Sequence, residues 1–537
     1  MTGLPHFARA PTGALSGWRA LVFALFGCAG CLVAASPGYA EPVALETSVR
    51  ALDENDLAAA QSALSTLSPS EALKPEPTFQ RGLIDFYAGQ YAEAVRRMEE
   101  AVAGAPRSPQ LGEWRRLLAW SSAARDITRD FAEAHSADGR YSIRYPQGVD
   151  AVLVPYALAA LRDADHAIET QLGIHLPSPI RLEIYPSARS LAEVSSLSLE
   201  HIQTTGTVAL CKWNRLMVAS PRSLLYGYPW LDTINHELVH LALSFASRNH
   251  APVWFHEGLA KLFERTWRGL VPGAYLAPPT NSLLLKAAHD KKLIAFDRMH
   301  PSIAMLPSQE DAALAFAQVV TFLERFRERY GDEGLSRTIQ LLASGQDVRV
   351  ALAKVAGVGF PELEARWRST LTERERPEVA EGKELKLRFV ESGAADESLD
   401  VAEGRARKHL RVGDLLWGRH RILAAGREYE SAQRLSPTDP ILASRVARAS
   451  LAGHDAERAL SALDTALREH PTHAPLQALR GQALLALARD GEARAPLQEA
   501  IRLNPFDPSP HCLLARLGGD ADEPMREQNA CKLLSGQ

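Results

Sequence analysis

The feature that most restricts what this chain can fold into is a period. The stretches "LSPTDP", "EHPTHAP" and "LNPFDPSP" place Pro437, Pro471 and Pro505 at intervals of 34 residues. The same register aligns Ala425, Ala459 and Ala493, then Tyr429, Leu463 and Leu497, then Ala432, Ala466 and Ala500. Gly413, Ala447 and Gly481 form a further column. Small side chains at fixed offsets let paired helices approach closely, and a proline closing each unit stops the second helix. Such a unit cannot bury its apolar face alone, so it must stack on its neighbours.

This pattern resembles the tetratricopeptide repeat, and the resemblance implies a stack of helical hairpins over 401–537. A related unit stands near the other end. "RGLIDFYAGQYAEAVRRMEEAVAGAP" carries Gly82, Ala94, Met98, Ala101 and Pro106 at the same relative offsets. One or two similar hairpins are expected over 43–130. Stacked helix pairs form concave surfaces, so a binding role for a protein partner is expected of the repeats.

Between the repeats the periodicity changes. "RYSIRYP" (140–146), "IRLEIYP" (180–186) and "NRLMVAS" (214–220) read as strands, and "VPYALAALRDADHAIETQLG" reads as an amphipathic helix. Next comes "TINHELVHLALSF", with His236 and His240 four residues apart and Glu237 directly after the first. Residues four apart on a helix share a face, so both imidazoles can grip one ion. Glu237 stands where its carboxylate can reach a water activated by that ion, and so is the candidate general base. A zinc site needs a third protein ligand. The metzincin arrangement is absent, because Leu243 and Ala246 occupy its glycine and histidine positions. Downstream, "APVWFHEGLAKLFE" opens a second apolar-periodic helix that carries Glu257.

The pieces "TINHELVH" and "VWFHEGLAKLFE" together resemble the peptidase MA-like gluzincins, with looser support from "FAQVVTFLERFRERYG" and "FPELEARW". The resemblance spans about 135–375. It implies that His236, His240 and Glu257 hold Zn2+ and that Glu237 is the catalytic base. Sixteen residues lie between His240 and Glu257, a tight connection for this family. His250 and His256 offer alternative nitrogens, although His256 lies about 100° round the helix from Glu257. Glu264 shares the face of Glu257 and is either an orienting partner for a ligand histidine or a solvated surface acid. No donor for the oxyanion of peptide hydrolysis is singled out among Tyr226, Tyr228, Tyr275 and His250. The Gly-x-Met-Glu-Asn segment of zinc aminopeptidases is absent, which favours an endopeptidase.

The first forty residues differ from the rest. Arg9 and Arg19 precede the apolar run Ala20–Ala35, and Gly38 and Ala40 then stand where a signal cleavage site needs small residues. The run is short for a membrane span, which needs ~20 apolar residues. Residues 1–40 are therefore expected to be a signal peptide that exports the protein to a periplasmic or extracellular location. Cys28 and Cys31 leave a lipid-anchored envelope form open, and no membrane span is expected after cleavage. Of the five cysteines, Cys211, Cys512 and Cys531 lie beyond this segment, too few for a disulfide framework or a cysteine zinc site. Cys512 and Cys531 can pair or remain free thiols. The net charge of −4 with interspersed acids and bases excludes a nucleic-acid field.

The expected fold is α+β and mostly helical. It comprises a helical segment at 43–130, a small α/β gluzincin-like metallopeptidase domain at 135–375, a polar linker at 376–400 and repeats at 401–537. The expected function is hydrolysis of a peptide or protein substrate, with a partner protein recruited through the repeats. The alternative is an interaction scaffold whose peptidase-like domain binds zinc but hydrolyses little.

Overall fold

In the computed structural model, residues 43–299, 303, 306–375, 387–390, 397–401, 403–519 and 523–536 are described. The signal-peptide reading of residues 1–40 and most of the 376–400 linker lie outside them.

The 34-residue period becomes helix pairs: Gly404–Gly418 with Ile422–Leu435, Pro440–Ala452 with Ala456–Glu469, and Ala474–Ala486 with Asp490–Leu503. A final pair, Pro508–Leu517 with Glu523–Ser535, is closed by a disulfide between Cys512 and Cys531. Pro437, Pro471 and Pro505 each stand two residues beyond the second helix of a pair. The repeated columns are the contacts. Ala425, Ala459 and Ala493 are fully buried, as are Ala432 and Ala466. A Cβ on Gly413 would sit 2.4 Å from the Tyr429 ring, and one on Gly481 would sit 2.5 Å from Leu497. At the other end, Pro75–Tyr87 and Tyr91–Gly104 form a pair of the same kind, with Gly82 against Met98.

The middle of the chain builds one sheet of five strands: β1 (Phe131–His135), β2 (Tyr141–Pro146), β3 (Ile180–Tyr185), β4 (Ala209–Lys212) and β5 (Arg215–Ala219), in the order β1-β2-β3-β5-β4. The inner three, β2, β3 and β5, run parallel; β1 and β4 pair antiparallel at the two edges. Three strands match the sequence reading, and the two edge strands are additions. The sheet therefore begins at Phe131, ahead of the first expected strand at 140 and of the domain limit set at 135. The helix Val154–Leu172 makes the crossover from β2 to β3 and packs against the sheet.

The β4–β5 hairpin turns on Trp213 and Asn214, both with φ near +55°. That turn demands left-handed backbone at both positions, which a tryptophan adopts only when its surroundings hold it there. They do: Trp213 is buried against Phe86 and Trp120, with the Arg215 guanidinium 5.4 Å from its ring centre. The same cluster docks the N-terminal helices on the sheet, since Tyr91 donates to the Glu183 carboxylate and Arg215 donates to Tyr91.

After the sheet come the helices Trp230–Ala246 and Val253–Phe263, then Gln309–Ala343, broken at Gly331, then Val348–Ala356 and Phe360–Thr372. Part of the expected linker is ordered: Phe389 pairs antiparallel with Leu224, and Val390 donates its N–H to Ser223. Among the described residues, no helix is long and apolar enough to cross a membrane.

Candidate metal centre

Two consecutive helices build the site. Trp230–Ala246 is buried along most of its length, with Leu231, Ile234, Leu238, Leu241 and Ala242 fixing its rotation against the core. That rotation sends His236 and His240 to one side, one turn apart. The chain then reverses through left-handed Arg248 and Asn249, and Pro252 precedes the helix Val253–Phe263. The apolar face of this second helix, Phe255, Leu259 and Leu262, packs into the same core and brings Glu257 opposite the histidines.

His236, His240 and Glu257 offer three donor atoms that all lie within 4.8 Å of one another. The two Nε2 atoms are 3.1 Å apart, and Glu257 Oε2 lies 3.5 Å from His236 Nε2 and 3.7 Å from His240 Nε2. Zinc bonds of about 2.0–2.1 Å at a tetrahedral centre put ligand atoms about 3.3 Å apart, so the observed triangle has the right size. Two imidazole nitrogens facing each other beside a carboxylate also suit a cation chemically. His250 lies exposed on the connecting loop and is not part of the triangle. His256 is buried, and its Nδ1 approaches Nδ1 of His240 from behind rather than joining the ligand atoms.

Glu237 is 6% exposed, and the backbone N–H of Cys211 on edge strand β4 donates to its carboxylate. Burial pushes this carboxyl above its ordinary range, against the opposing pull of His240 and His236. For Glu257, burial likewise pushes upward, but the adjacent His240 and His236 outweigh it and hold the carboxyl well below its usual value. Neighbouring acids thus have opposite tendencies: one is biased to hold a proton and the other to stay anionic. Glu264 lies with Oε2 3.9 Å from His236 Nδ1 and is held by Lys261 at 2.8 Å. At the start of the motif helix, Asp232 takes two bonds of 2.8 Å from Arg268. Asn235 donates to the Phe263 carbonyl and ties the two site helices together.

Residues 160–373 match the family model described as Peptidase MA superfamily. The middle of this chain is a peptidase MA domain. Its matched span contains all three clustered donors and Glu237. No curated protein matches the chain. Among solved structures, the first tetratricopeptide domain of Spaghetti, bound to an HSP90 peptide, is 17% identical. The match covers 25% of this chain and 91% of that one, with a TM-score of 0.20. The Cut9–Hcn1 hetero-tetramer of the APC/C is 14% identical over 92% of this chain and 78% of that one, with a TM-score of 0.24.

The sequence did not signal the Cys211–Glu237 contact of the peptidase MA domain or the turn on which it depends. The Cys211 amide reaches Glu237 only because β4 forms, and the turn that permits β4 uses Trp213 rather than a turn-forming residue. The tyrosines weighed as oxyanion donors are engaged elsewhere: Tyr228 donates to the Ala219 carbonyl, Tyr275 to that of Val271, and the Tyr226 ring packs on His473.

Proposed function

We propose that the protein is an exported, zinc-dependent endopeptidase in which His236, His240 and Glu257 hold the metal and Glu237 is the general base. The observation that carries this reading is the convergence of two imidazole nitrogens and one carboxylate oxygen beside a buried second carboxylate, inside a peptidase MA domain. Zinc, when bound there, supplies Lewis acidity that lowers the pKa of a water toward ~7. The protein's own contribution is the placement of a proton acceptor. The buried Glu237 carboxylate takes the proton of the attacking water and delivers it to the leaving amine. Burial favours the protonated state between these two transfers, which is what a shuttle requires. Export rests on the features of residues 1–40, and a periplasmic or extracellular location follows from it. The domain limits 135–375 and 401–537, and a partner-recruiting role for the repeats, belong to the same proposal.

Metal analysis tests it. The purified protein is expected to hold one zinc per chain, and His240→Ala is expected to hold none. One full equivalent of zinc in the His240→Ala protein would defeat the ligand assignment.

A further inference from the structure

The face of His240 turned away from the cluster meets another histidine. His240 Nε2 points to His236 Nε2 at 3.1 Å and to Glu257 Oε2 at 3.7 Å, while its Nδ1 lies 3.4 Å from His256 Nδ1. The two rings are 5.5 Å apart between centres and tilted by 30°. His256 is 3% exposed, so the contact is made away from bulk water. A neutral imidazole has one N–H and one lone pair, and a nitrogen that ligates a metal must present the lone pair. With Nε2 committed to the cluster, His240 carries its proton on Nδ1. That proton has a partner in His256 only if His256 Nδ1 is bare and its own proton sits on Nε2.

Ligand histidines are ordinarily steadied through their second nitrogen by a carboxylate, a backbone carbonyl or water. Near His236 the closest such group is the Glu264 carboxylate, 3.9 Å from Nδ1, beyond direct hydrogen-bond reach and bonded instead to Lys261. Behind His240 the place is taken by an imidazole. We propose that His256 is a positioning residue, whose Nδ1 accepts the His240 Nδ1–H and fixes His240 in the tautomer and ring orientation that metal binding requires. The inference rests on the reading that His236, His240 and Glu257 hold zinc. It also explains how consecutive residues serve one site: about 100° of helical rotation separates them. Glu257 meets the front of the His240 ring and His256 meets its back.

Zinc affinity, measured on the full chain by competition with a chelator, tests the proposal through two substitutions. His256→Asn places a carbonyl oxygen close to the position of Nδ1 and keeps an acceptor. His256→Phe keeps the ring's bulk and removes the acceptor, with His256→Leu as the second acceptor-free variant should the Phe protein melt early. Loss of an outer hydrogen bond of this kind weakens metal binding by about 10–100-fold. That loss is expected for His256→Phe or His256→Leu, with His256→Asn remaining within a few-fold of native. The visible absorption of the cobalt-loaded protein should change in the acceptor-free variant and return to native in the Asn variant. A merely structural role would lower melting temperature without separating Asn from Phe. Native zinc affinity in the acceptor-free variants, or an Asn variant as weak as Phe, overturns the inference alone. A native protein that binds no zinc overturns the zinc reading, and this inference with it.

Discussion

At the scale of single residues, Glu237 separates an enzyme from a metal-holding scaffold. Its carboxylate is buried, hydrogen-bonded by the Cys211 amide and adjacent to the cluster without belonging to it. Glu237→Gln keeps the shape and the carbonyl oxygen that accepts the Cys211 N–H, but it cannot take up a proton. Zinc content and melting temperature are therefore expected to stay close to native. A general base contributes typically ~10²–10⁴-fold, so hydrolysis of any peptide the native protein cleaves should fall by about that factor. Equal cleavage by both proteins, each carrying one zinc, would remove Glu237 from the mechanism.

At the scale of elements, the repeats depend on close helix approach more than on helix propensity. Gly481 faces the fully buried Leu497, and an added Cβ would lie 2.5 Å from two of its carbons. Gly491, one repeat helix later, has nothing within 4 Å of the same position. The two glycines should respond in opposite directions. Gly481→Val forces the helices apart and is expected to destabilise by about 1–3 kcal/mol, the usual cost of overpacking. Gly491→Ala should stabilise slightly, by up to about 0.5–1 kcal/mol, because alanine is the better helix former. Urea unfolding followed by circular dichroism measures both. Two substitutions with the same sign would mean that the glycine column reflects something other than contact. The peptidase MA domain shows the opposite dependence: its edge strand β4 forms through a turn at Trp213 and Asn214 that local preference opposes, so surrounding packing must hold it.

Across the whole molecule, the C-terminal repeats grip the segment that leads into the motif helix. Tyr228 donates its N–H to Leu503, the Tyr226 ring lies 4.6 Å from that of His473, and Arg268 joins Asp232 of the motif helix to Glu499 of a repeat. Further along, the Tyr156 hydroxyl donates to Glu527 at 2.8 Å. His473 is buried, and neither ring nitrogen has a hydrogen-bond partner among the described residues. Burial pushes its pKa down to about 3, with His470 adding to the effect. The unfolded chain, with an ordinary histidine pKa of about 6.5, then binds more protons than the folded one below that pH. This contribution to stability is complete above about pH 6.5 and declines as pH falls toward the folded value. Between pH 7 and 4.5 the loss from this residue should be about 2–3 kcal/mol. His473→Phe keeps a ring against Tyr226 but cannot be protonated, so its stability should fall less over the same range by that amount. Identical losses in native and variant protein, measured by urea unfolding at the two pH values, would show that His473 does not couple acid to this interface.

What the sequence determined by itself was everything carried by short-range geometry. A 34-residue period implies helix pairs because the contacting columns lie within one unit or its neighbour. Histidines four apart share a helix face whatever surrounds them, and a tight connection brings Glu257 back to that face. The order of the sheet, the Cys211 amide at Glu237, His256 behind His240, and the grip of Leu503 and Glu499 on the start of the motif helix came only from the tertiary structure. Each joins segments whose local patterns are compatible with many partners. The choice among those partners is made when the whole core packs, through the burial of Trp213, Phe255 and their neighbours, and no local spacing encodes it.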